Sequence, residues 1–182
     1  MPDRTRRDIV EAFNKLIVTR PFDQITIVEI AREAHVGKST FYRYFSDRYD
    51  VMNYNYKKLL DQYVADKNIS NYRDLYYNLY LSGHDLLSKI SGSFKSSGVN
   101  SFENFIYMYS RDTVVRITRM NRNGEGLSEA ERMQLDVYCY GIAQMYRIWI
   151  AGKYDLDPSE AADKLYEMMP ETLKHYWLVG EE

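Results

Sequence analysis

The sequence predicts an all-α protein with a small N-terminal head of three helices, residues 1–48, carried on a larger helical body, residues 49–182. Three observations lead there. Only 9 Gly and 4 Pro occur in 182 residues, with no low-complexity tract. Long segments repeat apolar residues at helical spacing. Helix-opening signals, Thr26 with Glu29 and Ser128 with Glu131, stand where two of those segments begin.

The elements follow in order. A first helix is expected from residue 2 or 3 to 19, with Ile9, Ala12, Phe13, Leu16 and Ile17 as its buried stripe. It ends before Pro21, because the residue preceding proline is pushed out of helical geometry. Phe22 and Ile25 anchor the next loop. The Thr26 hydroxyl then caps a second helix in which Ile27, Ile30, Ala31 and Ala34 recur at helical spacing. After about three residues, a third pattern over 38–45 puts Phe41 and Phe45 on one face and leaves Ser39, Thr40, Tyr42, Arg43 and Tyr44 for the others. Two short helices joined this tightly have the dimensions of a helix-turn-helix. A fourth helix starts near Asp47 and runs through Tyr56, Leu59, Leu60 and Tyr63.

The body begins at a polar break over 66–70. Helices are expected over 72–90 and 102–120, separated by the loop 91–101, and a second break occupies 121–126. Ser128 opens a long helix to about residue 150 whose stripe of Leu135, Tyr138, Ile142, Met145 and Trp149 is widened by Val137, Tyr140, Gly141 and Ile148. Pro158 behind Asp157 starts a last helix, with Ala161, Leu165, Met168, Met169, Leu173, Tyr176 and Trp177, that Pro170 should kink.

The third helix has donors at its N-terminal end and phenols and a guanidinium along its side, which is the chemistry that reads base edges and grips phosphates. DNA binding is therefore the leading expectation. The whole chain carries a formal −2, yet residues 1–48 hold nine Lys/Arg against seven Asp/Glu, leaving 15 against 19 in the remainder. Arg4, Arg6 and Arg7 cluster at the start, and Lys38, Arg43 and Arg48 gather around the third helix.

The stretch 26–51 resembles the DNA-binding domain of the TetR/AcrR family of one-component transcriptional regulators, with its pattern T-x-x-x-I-A-x-x-A-G-V-S-x-x-T-x-Y-x-x-F-x-x-K-x-x-L. Thr26, Ile30, Ala31, Ala34, Val36, Thr40, Tyr42 and Phe45 fill those places, with Arg48 and Val51 as conservative substitutes. Two positions depart: His35 stands at the turn glycine and Gly37 at the serine cap. Histidine is among the non-glycine residues enriched at positive φ, and glycine is a serviceable N-cap. The resemblance implies a ligand-responsive homodimer that binds an inverted-repeat operator and is expected to repress. Lys38 and Ser39 are expected at base edges, and Thr26, Thr40, Tyr42, Arg43, Tyr44 and Arg48 on phosphates. The alternative is a ligand-sensing co-regulator that keeps the fold without binding DNA.

The last two helices read as a dimer interface, because a helix apolar over more than half its circumference, followed by one rich in Met and Trp, has more surface than one core absorbs. The expected contacts are Tyr138, Gly141, Ile142, Met145, Ile148, Trp149, Leu165, Met169, Leu173 and Trp177. The pattern over 141–154 also resembles the C-terminal region of a subset that includes regulators of dihydroxyacetone-kinase operons. Among 18 tyrosines and 7 phenylalanines, Tyr56, Tyr63, Tyr76, Tyr80, Phe102, Phe105 and Tyr109 are the expected lining of an effector pocket. Cys139 is the single cysteine, so no intrachain disulfide forms, and neither a secretory signal nor a membrane span is indicated; a cytoplasmic protein is expected. The histidines have no ligand-spaced partners and no nucleophile elbow, P-loop or zinc-protease motif occurs, so neither metal, cofactor nor catalysis is expected.

Overall fold

The computed structural model describes residues 2–90, 101–150 and 152–177. Among them lie nine α-helices: α1 (Pro2–Thr19), α2 (Ile27–Glu33), α3 (Lys38–Tyr42), α4 (Arg48–Ala65), α5 (Tyr72–Ile90), α6 (Phe102–Asn121), α7 (Glu129–Ile150), α8 (Pro158–Met168) and α9 (Glu171–Lys174). The chain divides into two compact units, one from the described residues of Met1–Leu59 and Asp85–Phe102, the other from those of Leu60–His84 and Glu103–Glu182. The expected loop 91–101 lies outside the described residues except for Ser101.

In the first unit, α1 ends before Pro21 as the proline rule requires, and a single 3-10 turn, Phe22–Gln24, buries Phe22 edge-on against Phe13 at 6.2 Å. Ile9, Phe13, Ile17, Ile25, Ile30 and Phe41 complete a core from which water is excluded. Both halves of the Thr26 capping box are formed: Glu29 N donates to Thr26 Oγ1 (3.3 Å) and Thr26 N to Glu29 Oε2 (2.9 Å). Arg20 Nη1 clamps the other carboxylate oxygen at 2.8 Å. Glu29 is held down at about 2, first by the Thr26 hydroxyl and then by the Thr26 N–H, with Arg20 adding to both.

The turn after α2 is a Schellman motif. Val36 N donates to Ala31 O (2.9 Å) and His35 N to Arg32 O (3.1 Å), which requires the residue between to be left-handed. His35 has φ 55°, so the histidine standing at the glycine position adopts the glycine's conformation. Gly37 caps α3 through its extended backbone alone. α3 is shorter than its sequence pattern: it ends at Tyr42, and Tyr44 N and Phe45 N turn back to Phe41 O. Phe45 nonetheless stays beside Phe41, ring centroids 6.1 Å apart, so the apolar face survives the end of the helix.

In the second unit, the same devices recur. Ser128 and Glu131 exchange bonds at the start of α7, and Asp157 with Glu160 forms a capping box ahead of Pro158 on α8. α7 ends in a Schellman turn through Gly152 (φ 68°), and α6 ends over left-handed Asn123 (φ 53°) with Gly124 N donating to Arg119 O at 2.8 Å. Pro170 does more than kink the last helix: Met169 before it is extended (ψ 140°), α8 stops at Met168, and a new turn, α9, begins at Glu171. The C-terminal segment is locked down by Trp177, whose Nε1 donates to Ile69 O at 2.7 Å and whose ring meets Tyr72 edge-on at 4.9 Å. Arg122 holds Glu131 in a fork (3.1 and 2.6 Å) while its Nε donates to Tyr176 Oη (3.0 Å). Among the described residues, no helix is long and apolar enough to cross a membrane.

Candidate functional site

Phe41 is 0 % exposed, and this anchor fixes how α3 is presented. With it turned inward, Lys38, Ser39, Tyr42 and Arg43 are exposed, while Thr40 and Tyr44 are half-buried. Tyr42, 49 % exposed, stands edge-on to Phe41 at 5.7 Å and carries the Lys38 ammonium 6.0 Å above its ring. Thr26 is also exposed at the head of α2. Arg6, on α1, sets its guanidinium over two rings, Tyr44 at 5.9 Å and Tyr54 at 5.4 Å, and so ties α1 to the exit of α3. Sequence spacing had grouped Arg6 with Arg4 and Arg7; only its half-buried position separates it from them.

Arg48, expected on phosphate, is turned into the protein. Its Nη1 donates to Ile25 O (2.7 Å), Asp23 O (3.0 Å) and Phe22 O (3.3 Å), and its guanidinium covers the Phe22 ring at 4.7 Å. Phe22 O already accepts from Ile25 N (3.0 Å) in the 3-10 turn, and the single Nη1 of Arg48 joins it to the Asp23 and Ile25 carbonyls, so one cationic nitrogen ties the loop between α1 and α2 together. Arg48 therefore positions the loop that leads into Thr26.

The seven aromatic residues expected in an effector pocket are distributed over both units. Tyr56 and Phe102 are buried together in the first, edge-on at 5.0 Å. In the second, the Tyr76 and Tyr138 hydroxyls lie 3.0 Å apart, and Tyr138 donates to Leu165 O at 2.7 Å. Burial and the adjacent Tyr138 hydroxyl push the Tyr76 phenol well above its ordinary value. Phe105 and Tyr109 neighbour each other on α6 (5.9 Å), Tyr109 donates to Asp61 (2.9 Å), and Tyr63 is half-buried. Tyr80 packs on Trp149 at 4.3 Å and lines a cavity of ≈ 370 Å³.

Of the residues expected at a dimer interface, Leu165, Met169, Leu173 and Trp177 are buried inside their own unit, as are Tyr138, Ile142 and Trp149. Trp177 in particular has its indole N–H and ring satisfied within the subunit, which removes it from any surface. What α7 presents outward is narrower: Met133, Val137 (76 % exposed), Tyr140 and Gly141, with Met145 and Ile148 half-buried. Met133, Val137, Gly141 and Met145, with Met168 of α8, form an apolar groove of ≈ 600 Å³ floored by Tyr138, Ile142 and Leu165, whereas Tyr140 stacks on Tyr107 of α6 at 3.8 Å. The i, i+4, i+8 spacing of Met133, Val137 and Gly141 is the sequence signal that separates the exposed stripe from the buried one.

The family model described as bacterial regulatory proteins, tetR family, matches residues 9–54, and that of a transcriptional-regulator C-terminal region matches 90–171. The HTH-type transcriptional regulator HbdR of Aromatoleum sp. is 36 % identical over 64 residues, 35 % of this chain and 28 % of that protein. A regulator of the same type from Haemophilus influenzae is 44 % identical over 46 residues, 25 % of this chain and 22 % of that protein. The matched stretch thus spans about a quarter of these curated relatives. Two solved structures share the fold: the dihydroxyacetone kinase operon activator DhaS (TM-score 0.59, 14 % identity, 96 % of this chain and 98 % of that one) and the R. erythropolis transcriptional repressor QsdR (0.58, 10 %, 99 % of each).

Proposed function

The chain belongs to the tetR family of bacterial regulatory proteins, and from that premise we propose that it is a homodimeric, ligand-responsive regulator that binds an operator and represses transcription. The observation that carries this is the presentation of α3: a buried Phe41 and a left-handed turn at His35 leave Lys38, Ser39, Tyr42 and Arg43 exposed together. Lys38 and Ser39 read base edges from the start of the helix, and Thr26, Thr40, Tyr42, Arg43 and Tyr44 hold phosphates. Arg48 supports this surface from behind through the loop carbonyls.

Residues 1–48 serve as the head and 49–182 as the effector-binding and dimerisation body. A second copy covers the α7 groove, and two-fold symmetry then places paired heads against an inverted repeat. An effector in the body favours a state unsuited to the operator, and by linkage the operator weakens effector binding by the same factor. The protein acts in the cytoplasm, where the operator is.

Enrichment of random duplex DNA by the purified chain, beside its Lys38→Ala and Tyr42→Ala variants, tests this reading. Recovery of an inverted repeat by wild type and its loss in the variants is expected. A folded wild-type dimer that enriches no sequence at low or near-physiological salt would overturn it.

A further inference from the structure

The end of α7 and the start of α8, with Tyr80 of α5, border a half-open cavity. Gly152, left-handed at φ 68°, turns the chain off α7: its N–H donates to Trp149 O (2.8 Å), and Lys153 N donates to Ile148 O (3.2 Å). Trp149 Nε1 reaches across to Leu156 O (3.4 Å), and the Asp157 capping box starts α8 immediately after. The space of ≈ 370 Å³ left inside this bend is walled by the rings of Tyr80, Trp149 and Tyr154 and by Met145 and Met168, with Lys164 as the charged residue at its edge.

The chemistry of the lining selects its occupant. A space at the small end of the ligand-pocket range takes one ring or a short chain, and aromatic and thioether walls take an apolar body. An aromatic cage alone would also suit an organic cation, but the Lys164 ammonium repels one. Lys164 makes no ion pair within 4.0 Å among the described residues; its neighbour Asp163 feels the Lys164 charge but is bonded to Arg73 Nε at 2.7 Å. The geometry points to a binding site for a small amphipathic monocarboxylate, an aryl or alkyl acid whose apolar body enters the aromatic cavity and whose carboxylate meets Lys164.

Met145 and Met168 also line the α7 groove, so cavity and groove share two flexible walls. A ligand that displaces these thioethers pushes them into the groove and weakens whatever is seated there. This coupling rests on the proposed dimer at the groove; the site itself does not.

Calorimetric titration of the full chain with phenylbutyrate and octanoate, their neutral amides, and octylammonium tests the site, with circular dichroism confirming that each variant folds. The carboxylates are expected to bind about three- to fivefold more tightly than the amides, the scale of an exposed charge pair, and the ammonium more weakly than either. Lys164→Gln should bring the carboxylates to the affinity of the amides and leave the amides unchanged. Ala161→Leu, which fills the cavity, should abolish binding of all. Failure of both acids to bind, amides that bind as well as acids, or an unchanged carboxylate affinity in Lys164→Gln would each overturn the assignment. Duplex enrichment needs no ligand, so loss of operator binding with carboxylate binding intact sinks the regulator and leaves the site, and the reverse result does the opposite.

Discussion

Replacing Arg48 with alanine should lower the stability of the head and leave the salt dependence of DNA binding alone, whereas Arg43→Ala should do the reverse. Arg48 Nη1 carries two hydrogens and faces three carbonyls, at 2.7, 3.0 and 3.3 Å, so two bonds are well made and the third is shared. Hydrogen bonds to a charged group contribute about 1.5–3 kcal/mol each when buried, and a half-buried site takes the low end. Its cover over Phe22 at 4.7 Å and Tyr49 at 5.5 Å adds about 0.5–1 kcal/mol. Loosened loop carbonyls regain water in the variant, which brings the net loss to roughly 2–3 kcal/mol, or a fall in Tm of roughly 4–12 °C. Arg48→Lys should recover only part, because an ammonium can reach the carbonyls but lacks the planar guanidinium that covers the Phe22 and Tyr49 rings. Thermal melts by circular dichroism measure the first effect. Anisotropy titrations of a labelled duplex across a salt series measure the second, where loss of one phosphate contact flattens the log–log slope by about 0.9. An Arg48→Ala protein that melts with wild type while its slope flattens by that amount would refute the positioning role.

Val137→Glu places a charge in the middle of the apolar groove; sedimentation velocity should show at least a tenfold rise in the dimer Kd, about 1.4 kcal/mol, and an unchanged dimer would move the interface elsewhere. Burial pushes the Cys139 thiol up to about 12, so at pH 8 the folded protein should resist iodoacetamide until urea opens it; labelling at the rate of a free thiol would contradict that burial. Glu131 is held at about 2, first by the Arg122 guanidinium and then by the Ser128 N–H, and Glu29 lies equally low. Both folded values lie below the ordinary 4.5, so their stabilisation is complete above that pH and is lost as pH falls from 4.5 towards 2. Urea midpoints should therefore decline through this window, and the decline should be shallower in Glu131→Gln.

Interactions confined to a few residues along the chain were legible in the sequence. The capping boxes at Thr26 and Ser128, the helix start at Pro158 behind Asp157, the end of α1 before Pro21, and a histidine able to stand in for the turn glycine all depend on partners within five positions, where covalent geometry leaves few choices. The buried stripe of α1 was equally readable at Ile9, Ala12, Phe13 and Ile17, with Leu16 half-buried at its margin, because a periodic face needs only some partner and not a named one. Trp177 and Arg48 could not be placed this way. Composition marked both as candidates for outside contacts, an indole for a dimer and a guanidinium for phosphate, yet the indole N–H found Ile69 O, 108 positions away, and the guanidinium found loop carbonyls 23 to 26 positions away. A polar group is matched to whichever acceptor the fold brings near, and it is buried or exposed accordingly. The sequence by itself determined helices, caps and turns, since these follow from local backbone chemistry. Which apolar and charged side chains remain for a partner was decided only when the subunit had packed and filled its own needs first.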